Sequence, residues 1–296
     1  METWILFTLL AAFMQSIRTA GQKKISLYLS PMATTLVRYL FGLPFAVGYL
    51  LVVMPSSPMG VISASVKSTE FFLYASLASV AQILATFWLV KVMTFRNFAV
   101  ATIFSKTEAI QTAVLGVVFF SAFLSWPAWL AVILGALGIA IMSFPGSGHR
   151  PELKSVAYGL LSGLGFAFTA LWLRQASLSL DYTFIENAAI TLVYMVAVQT
   201  AICLIYVVMK ERDQIALLRK HIPLAVFVGL TSAFGSVGWY TAMTYENAAL
   251  VRSLGQIELV FAVLITYIFF KEKISTREYF GMYAIVLSVL ILLLLV

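Results

Sequence analysis

The chain has 296 residues, of which 62% are hydrophobic and only 10% charged, with a formal net charge of +7. An average soluble domain carries roughly 25% charged residues, so this composition excludes an ordinary soluble fold and points to the lipid bilayer as a partner. The positive balance invites a nucleic-acid reading, but the basic residues are scattered over the connections between apolar stretches, which is the pattern of membrane topology.

A bilayer core of about 30 Å needs about 20 apolar residues per helix. Ten stretches qualify: 3–22, 31–53, 70–90, 97–119, 126–144, 155–174, 183–208, 222–243, 248–270 and 278–296. Alternating β-barrel patterning is absent, so the expected fold is all-α, a polytopic membrane protein. Met1-Glu2-Thr3 leads straight into the first stretch without a basic segment, so no cleaved signal peptide is expected. The first stretch carries Gln15 and Arg18, and the second carries Arg38. Pro31 and Pro127 fall at expected helix starts, where a missing N–H costs nothing. The longest connection, Pro55 to Thr69, is broken by Pro55, Pro58 and Gly60.

The fourth stretch carries Thr102, Ser105, Lys106, Glu108 and Gln111. Pro145 to Pro151, with Gly146 and Gly148, divides the chain into expected units 1–148 and 149–296. Gly159 and Gly163 in the sixth stretch are spaced for close helix packing. The single cysteine, Cys203, lies in the seventh, which excludes disulfides and cysteine-based metal sites. The ninth carries Arg252, Ser253, Gln256 and Glu258. His149 and His221 are too isolated for a metal site, and no Ser/His/Asp set appears. Neither an enzyme, a cofactor nor a metal is expected.

Residues 93–125 repeat as 243–275 at an offset of 150, without a gap, with eight of thirty-three pairs identical. Glu108 answers to Glu258, and Phe119-Phe120 to Phe269-Phe270. A duplicated bundle with a mid-span carboxylate in each half is how secondary transporters are built. Thirteen Lys and Arg lie on odd-numbered connections, against Lys67 and Arg174 on even ones. The positive-inside rule then puts odd connections in the cytoplasm and both termini outside, for a multi-pass protein of the cell (inner) membrane. Five helices per half is an odd number, so the second half enters inverted.

The chain resembles the drug/metabolite transporter superfamily, and within it the ten-helix EamA-like transporters. The residues that carry this are Trp239 to Met243, Asn247-Ala248-Ala249, Ile257 to Ala262, Phe270 to Ser275 and Gly281, with Ser30-Pro31 and Arg38 in the second stretch. The proline that often follows the family's mid-helix Glu is replaced here by Ala109 and Leu259. The family usually keeps its termini cytoplasmic, whereas the charge count places these outside. The resemblance implies a monomeric or homodimeric carrier working by alternating access, with its solute in a central cavity bordered by the fourth and ninth helices.

A charge at the bilayer centre costs roughly 2.5–3.5 kcal/mol on insertion scales, so each needs a partner or a wet cavity. Thr102 and Lys106 are four apart and share a helix face, as do Arg252 and Gln256. Glu108 and Glu258 lie about 160° around the helix from the Lys106 and Gln256 line, so one face could line a cavity while the other meets a neighbouring helix. For Lys106 and Arg252 two readings stand: recognition of an anionic solute group, or pairing with Glu108 and Glu258. For the two carboxylates they are proton coupling or a structural ion pair. Arg18 could touch solute, pair with Glu108 or snorkel. Trp239 and Tyr240, with Phe87 and Trp88, could wall a cavity or pack.

Arg18, Arg38, Lys106 and Arg252 outnumber Glu108 and Glu258 by two. The expected function is therefore secondary transport of a small anionic or zwitterionic metabolite, amino-acid-like or phosphorylated. The substrate-binding candidates are Gln15, Arg18, Thr102, Lys106, Trp239, Tyr240, Arg252 and Gln256, with Glu108 and Glu258 for the proton. The alternatives are organic-cation or drug efflux, and a receptor or assembly subunit without transport.

Overall fold

In a computed structural model of the chain, residues 2–54, 68–93, 104–143, 153–270 and 275–296 are described. Thr102, the breakers at 55–60, the linker around Gly148 and the corner at 271–274 lie outside them. Among the described residues all regular structure is helical. The helices are α1 (Thr3–Ile25), α2 (Pro31–Leu40), α3 (Leu43–Val53), α4 (Thr69–Met93), α5 (Glu108–Phe120), α6 (Trp126–Ser143), α7 (Leu153–Leu178) and α8 (Phe184–Lys210). They continue with α9 (Asp213–Lys220), α10 (Ile222–Tyr245), α11 (Ala248–Leu254), α12 (Glu258–Phe270) and α13 (Thr276–Leu295).

Eight helical spans among the described residues are long and apolar enough to cross a membrane. Two shorter apolar helices, Glu108–Phe120 and Trp126–Met142, fall where the fourth and fifth spans are expected. Several helix starts have a local cause. Ser30 accepts from the Ala33 N–H, with Pro31 next in the chain. Thr183 and Ser275 each form a reciprocal capping box, with Glu186 and Glu278. The second span is two helices, because Pro44 has no N–H to continue the ladder across Phe41 and Gly42. The seventh connection holds a short surface helix, α9, that the apolar pattern does not reveal. Gln214 on it accepts from the Ser30 N–H at 2.8 Å and so ties α9 to the start of α2.

Two more breaks matter for function. Phe104 and Ser105 are helical, Lys106 and Thr107 form a turn, and α5 begins at Glu108. In the other half α11 ends at Leu254, Gly255–Ile257 is a 3-10 turn, and α12 begins at Glu258. The breaks fall at equivalent places under the 150-residue offset. Both leave a glutamate at the start of a fresh helix, where the helix dipole favours negative charge.

Small residues let the spans touch. Gly238 of α10 faces the Phe7 carbonyl and Ala11 of α1, Gly165 of α7 meets Ala85 of α4, and Gly281 of α13 packs on Gly138 of α6. The most extensive pairings are accordingly α1 with α10, α4 with α7, and α6 with α13. In the order of the ten expected stretches these are first with eighth, third with sixth, and fifth with tenth. Moving each span on by five converts the first pairing into the second and returns the third to itself.

Candidate functional site

A cavity of about 710 Å³ lies between α1, α2, α4, α7, α10 and the two broken helices. Lys23 and Lys24, exposed on the last turn of α1, border one end. Leu173 and Met243 border the other. Just beyond that second end, Arg174 donates to the main-chain carbonyls of Met243, at 2.6 Å, and of Glu246. The C-termini of α7 and α10 are thereby held together.

Eight of the ten residues singled out from the sequence line this cavity: Gln15, Arg18, Lys106, Glu108, Trp239, Tyr240, Arg252 and Glu258. Thr102 lies outside the described residues. Gln256 is not among the lining residues; it is buried, and its amide crowds Gly135 of α6. Gln256 sits within a 3-10 turn, whereas Lys106 sits in the turn before α5, so the two positions differ in local backbone.

The charges are paired across the two halves. Glu258 Oε2 accepts from Lys106 Nζ at 2.7 Å and from Gln15 Nε2 at 2.6 Å. Gln15 Oε1 in turn accepts from the Trp239 indole N–H at 2.9 Å. Glu108 Oε1 lies 3.5 Å from Arg252 Nη1. Arg252 is 7% exposed and does not snorkel. Its guanidinium sits over the Trp239 ring at 4.8 Å and the Phe166 ring at 6.0 Å. The expectation that Lys106 and the glutamates sit on opposite helix faces does not hold, because it assumes an unbroken helix. With the turn at Lys106 and Thr107, Lys106, Glu108 and Glu258 all line one space.

Local packing sets these positions. The Ser105 carbonyl rests against Gly163, and the Ser105 hydroxyl lies 3.5 Å from that of Ser162, so the stub before Lys106 seats on α7. Gly255 leaves room for the Trp239 ring, which a Cβ there would strike. Other lining residues were not foreseen. Gln82 of α4 accepts from Tyr240 at 3.1 Å and Gln199 at 2.7 Å. Its oxygen is thus occupied twice, and Gln82 also lines the cavity. A lone mid-span amide was the available signal for Gln82. Phe166 and Thr169 of α7 had none. Phe87 and Trp88 are not among the lining residues.

The profile of the EamA-like transporter family matches residues 2–144 and again residues 153–294. The chain belongs to the EamA-like transporter family. Members of this family are transporters rather than enzymes, and the membrane-spanning helices of this EamA-like transporter agree with a transport role. Among curated proteins none matches it in sequence. A solved crystal structure matches at 10% identity with a TM-score of 0.76, over 98% of this chain and 96% of its own. At that identity the likeness shows the fold alone.

Proposed function

We propose that this transporter is a secondary carrier that moves a small organic anion or zwitterion by alternating access. In this reading ten spans form two inverted five-helix repeats, about 1–148 and 149–296, in a cell inner membrane with both termini outside the cytoplasm. The span pairing that maps onto itself and the family profile that matches twice both support the repeat. Glu108 and Glu258 are the candidates for carrying a coupling proton, since each faces the cavity at the start of a half-helix.

One observation carries the anion reading. Among the described residues six cations line the cavity (Arg18, Lys23, Lys24, Arg38, Lys106 and Arg252) against two carboxylates, and each carboxylate already faces a cation from the other half. An organic cation entering this space would meet a net positive field. Cation efflux is disfavoured further because Gln15, where an acid would serve, donates to Glu258. A receptor or assembly role leaves the cavity without a purpose. Uptake into proteoliposomes tests the proposal: organic anions and amino acids are expected to be carried, and tetraethylammonium is not. Uptake of the cation alone overturns it.

A further inference from the structure

Lys106 and Arg252 are the obvious anion receptors on their helices, but their charges are engaged by Glu258 and Glu108. Two other cavity cations are not so engaged. Arg18 is 3% exposed, and its buried Nε and Nη1 have no hydrogen-bond partner among the described residues. Arg38, 5% exposed, donates from Nη1 to the Thr86 hydroxyl at 3.1 Å, a neutral partner. Neither forms an ion pair among the described residues; Arg38 acts electrostatically against Arg18, and Glu258, already bonded to Lys106 and Gln15, favours its charge only from beyond contact distance. A buried guanidinium without a carboxylate is costly in the empty protein, which is tolerable where a ligand completes it.

We propose that Arg18 and Arg38 form an oxyanion subsite that receives a carboxylate or phosphate group of the solute, separate from the layer of crossed ion pairs. The subsite rests on the anion-carrier reading and makes it specific. A guanidinium presents a planar fork of donors that matches a carboxylate or phosphate two bonds at a time. Gln82, a neutral amide, lines the same cavity. Arg18 lies three residues along α1 from Gln15, so the subsite is one turn from the Gln15–Glu258 contact, on the side of Lys23 and Lys24. From Lys24 to Arg18 is about 9 Å at ~1.5 Å per residue. Lysines at the rim with arginines inside make a graded positive path that draws anions inward.

The test uses the purified full-length protein in detergent and reads thermal unfolding, with inorganic phosphate and succinate as probes against chloride at equal ionic strength. Both probes, or one of them, are expected to raise the wild-type melting temperature, and which one does so distinguishes phosphate from carboxylate recognition. Arg18→Met is expected to do two things. Without anion it melts about 2–4 °C higher, because an uncompensated buried charge is gone. With anion its apparent affinity falls about tenfold or more. Arg38→Met loses affinity likewise, and Arg18→Lys, which keeps charge without the fork, falls between.

If Arg18→Met melts lower than wild type without anion, Arg18 is a structural residue and the subsite is wrong. If wild type and both methionine variants are protected equally, anion binding survives and this assignment of it fails. If neither probe protects wild type, the oxyanion subsite is overturned whatever transport shows. Protection by tetraethylammonium instead would remove the anion-carrier reading with it.

Discussion

Lys106 and Glu258 stand 152 residues apart in the chain and 2.7 Å apart in space, each from a different half. Their side chains are 15% and 7% exposed, so the pair is largely withdrawn from water. Breaking such a pair from one side leaves a buried charge behind, which costs about 3–5 kcal/mol, whereas removing both charges is often neutral. Lys106→Gln and Glu258→Gln are therefore each expected to lower the melting temperature, and the double variant to recover most of the loss. Arg252 and Glu108, at 3.5 Å, should show the same pattern with smaller coupling. Four melting curves per pair give the coupling energy. Additive losses would mean that the contact contributes nothing.

The broken helices explain what could and could not be read from the chain. The helical class and the charges within apolar stretches were legible, because apolar length and a charge inside it are properties of short segments. The breaks were not. No proline marks either one, and Ala109 and Leu259 stand where a proline would have given warning. The second break coincides with Gly255 packed beneath Trp239, a contact between distant segments. Partner choice depends on those breaks, so Lys106 and Gln256, equivalent in sequence, diverge: one reaches Glu258 and the other turns to α6. Gln82 was overlooked because one amide in an apolar stretch shows no periodicity, although a buried mid-span amide always needs partners.

Gly255 is expected to tolerate no side chain. A Cβ there meets the Trp239 ring, which holds Gln15 through its indole N–H at 2.9 Å, and Gln15 holds Glu258. Gly255→Ala should cost about 1–3 kcal/mol through overpacking and should also impair transport. Adding Trp239→Leu should restore stability by making room, but not transport, since the indole donor is gone. Full recovery of both would show that Trp239 is packing only.

Arg174 is expected to keep one end of the cavity shut by binding the carbonyls of Met243 and Glu246. Met243 is fully buried and lines that end. The one native cysteine, Cys203, is buried, so an introduced thiol can report access. Met243→Cys should resist a membrane-impermeant thiol reagent applied from the side of the even connections. In the Arg174→Ala background it should react at least about tenfold faster, because the two charge-assisted bonds are lost. Unchanged reactivity would assign Arg174 to helix capping alone.

The expected orientation rests on thirteen basic residues on odd connections against two on even ones. A reporter fused after Val296 that works only in the cytoplasm should be silent, and one that works only outside should be active. This also fixes the cavity: the end bordered by Lys23 and Lys24 would face the cytoplasm. A cytoplasmic reporter signal would reverse both statements.

Glu258 is the stronger candidate for the coupling proton. Its Oε2 accepts from Lys106 and Gln15 together, whereas Glu108 has one long contact with Arg252. A proton arriving on Glu258 would weaken both contacts and loosen Lys106 and Gln15, which come from the other half, so protonation is tied to the interface that alternating access must rearrange. An amide cannot titrate. Glu258→Gln is therefore expected to leave solute exchange measurable but to flatten its dependence on pH and to abolish accumulation driven by a pH gradient. The Lys106→Gln/Glu258→Gln double variant separates this loss from instability, because it removes both buried charges. Lys106→Gln alone should disturb the same step, since lysine and glutamate act as one unit. Uptake into proteoliposomes, with and without an imposed pH gradient, makes the measurement. If Glu258→Gln and Glu108→Gln both keep full pH-driven accumulation, the pair carries no proton, and the crossed ion pairs serve only to lock the two halves together.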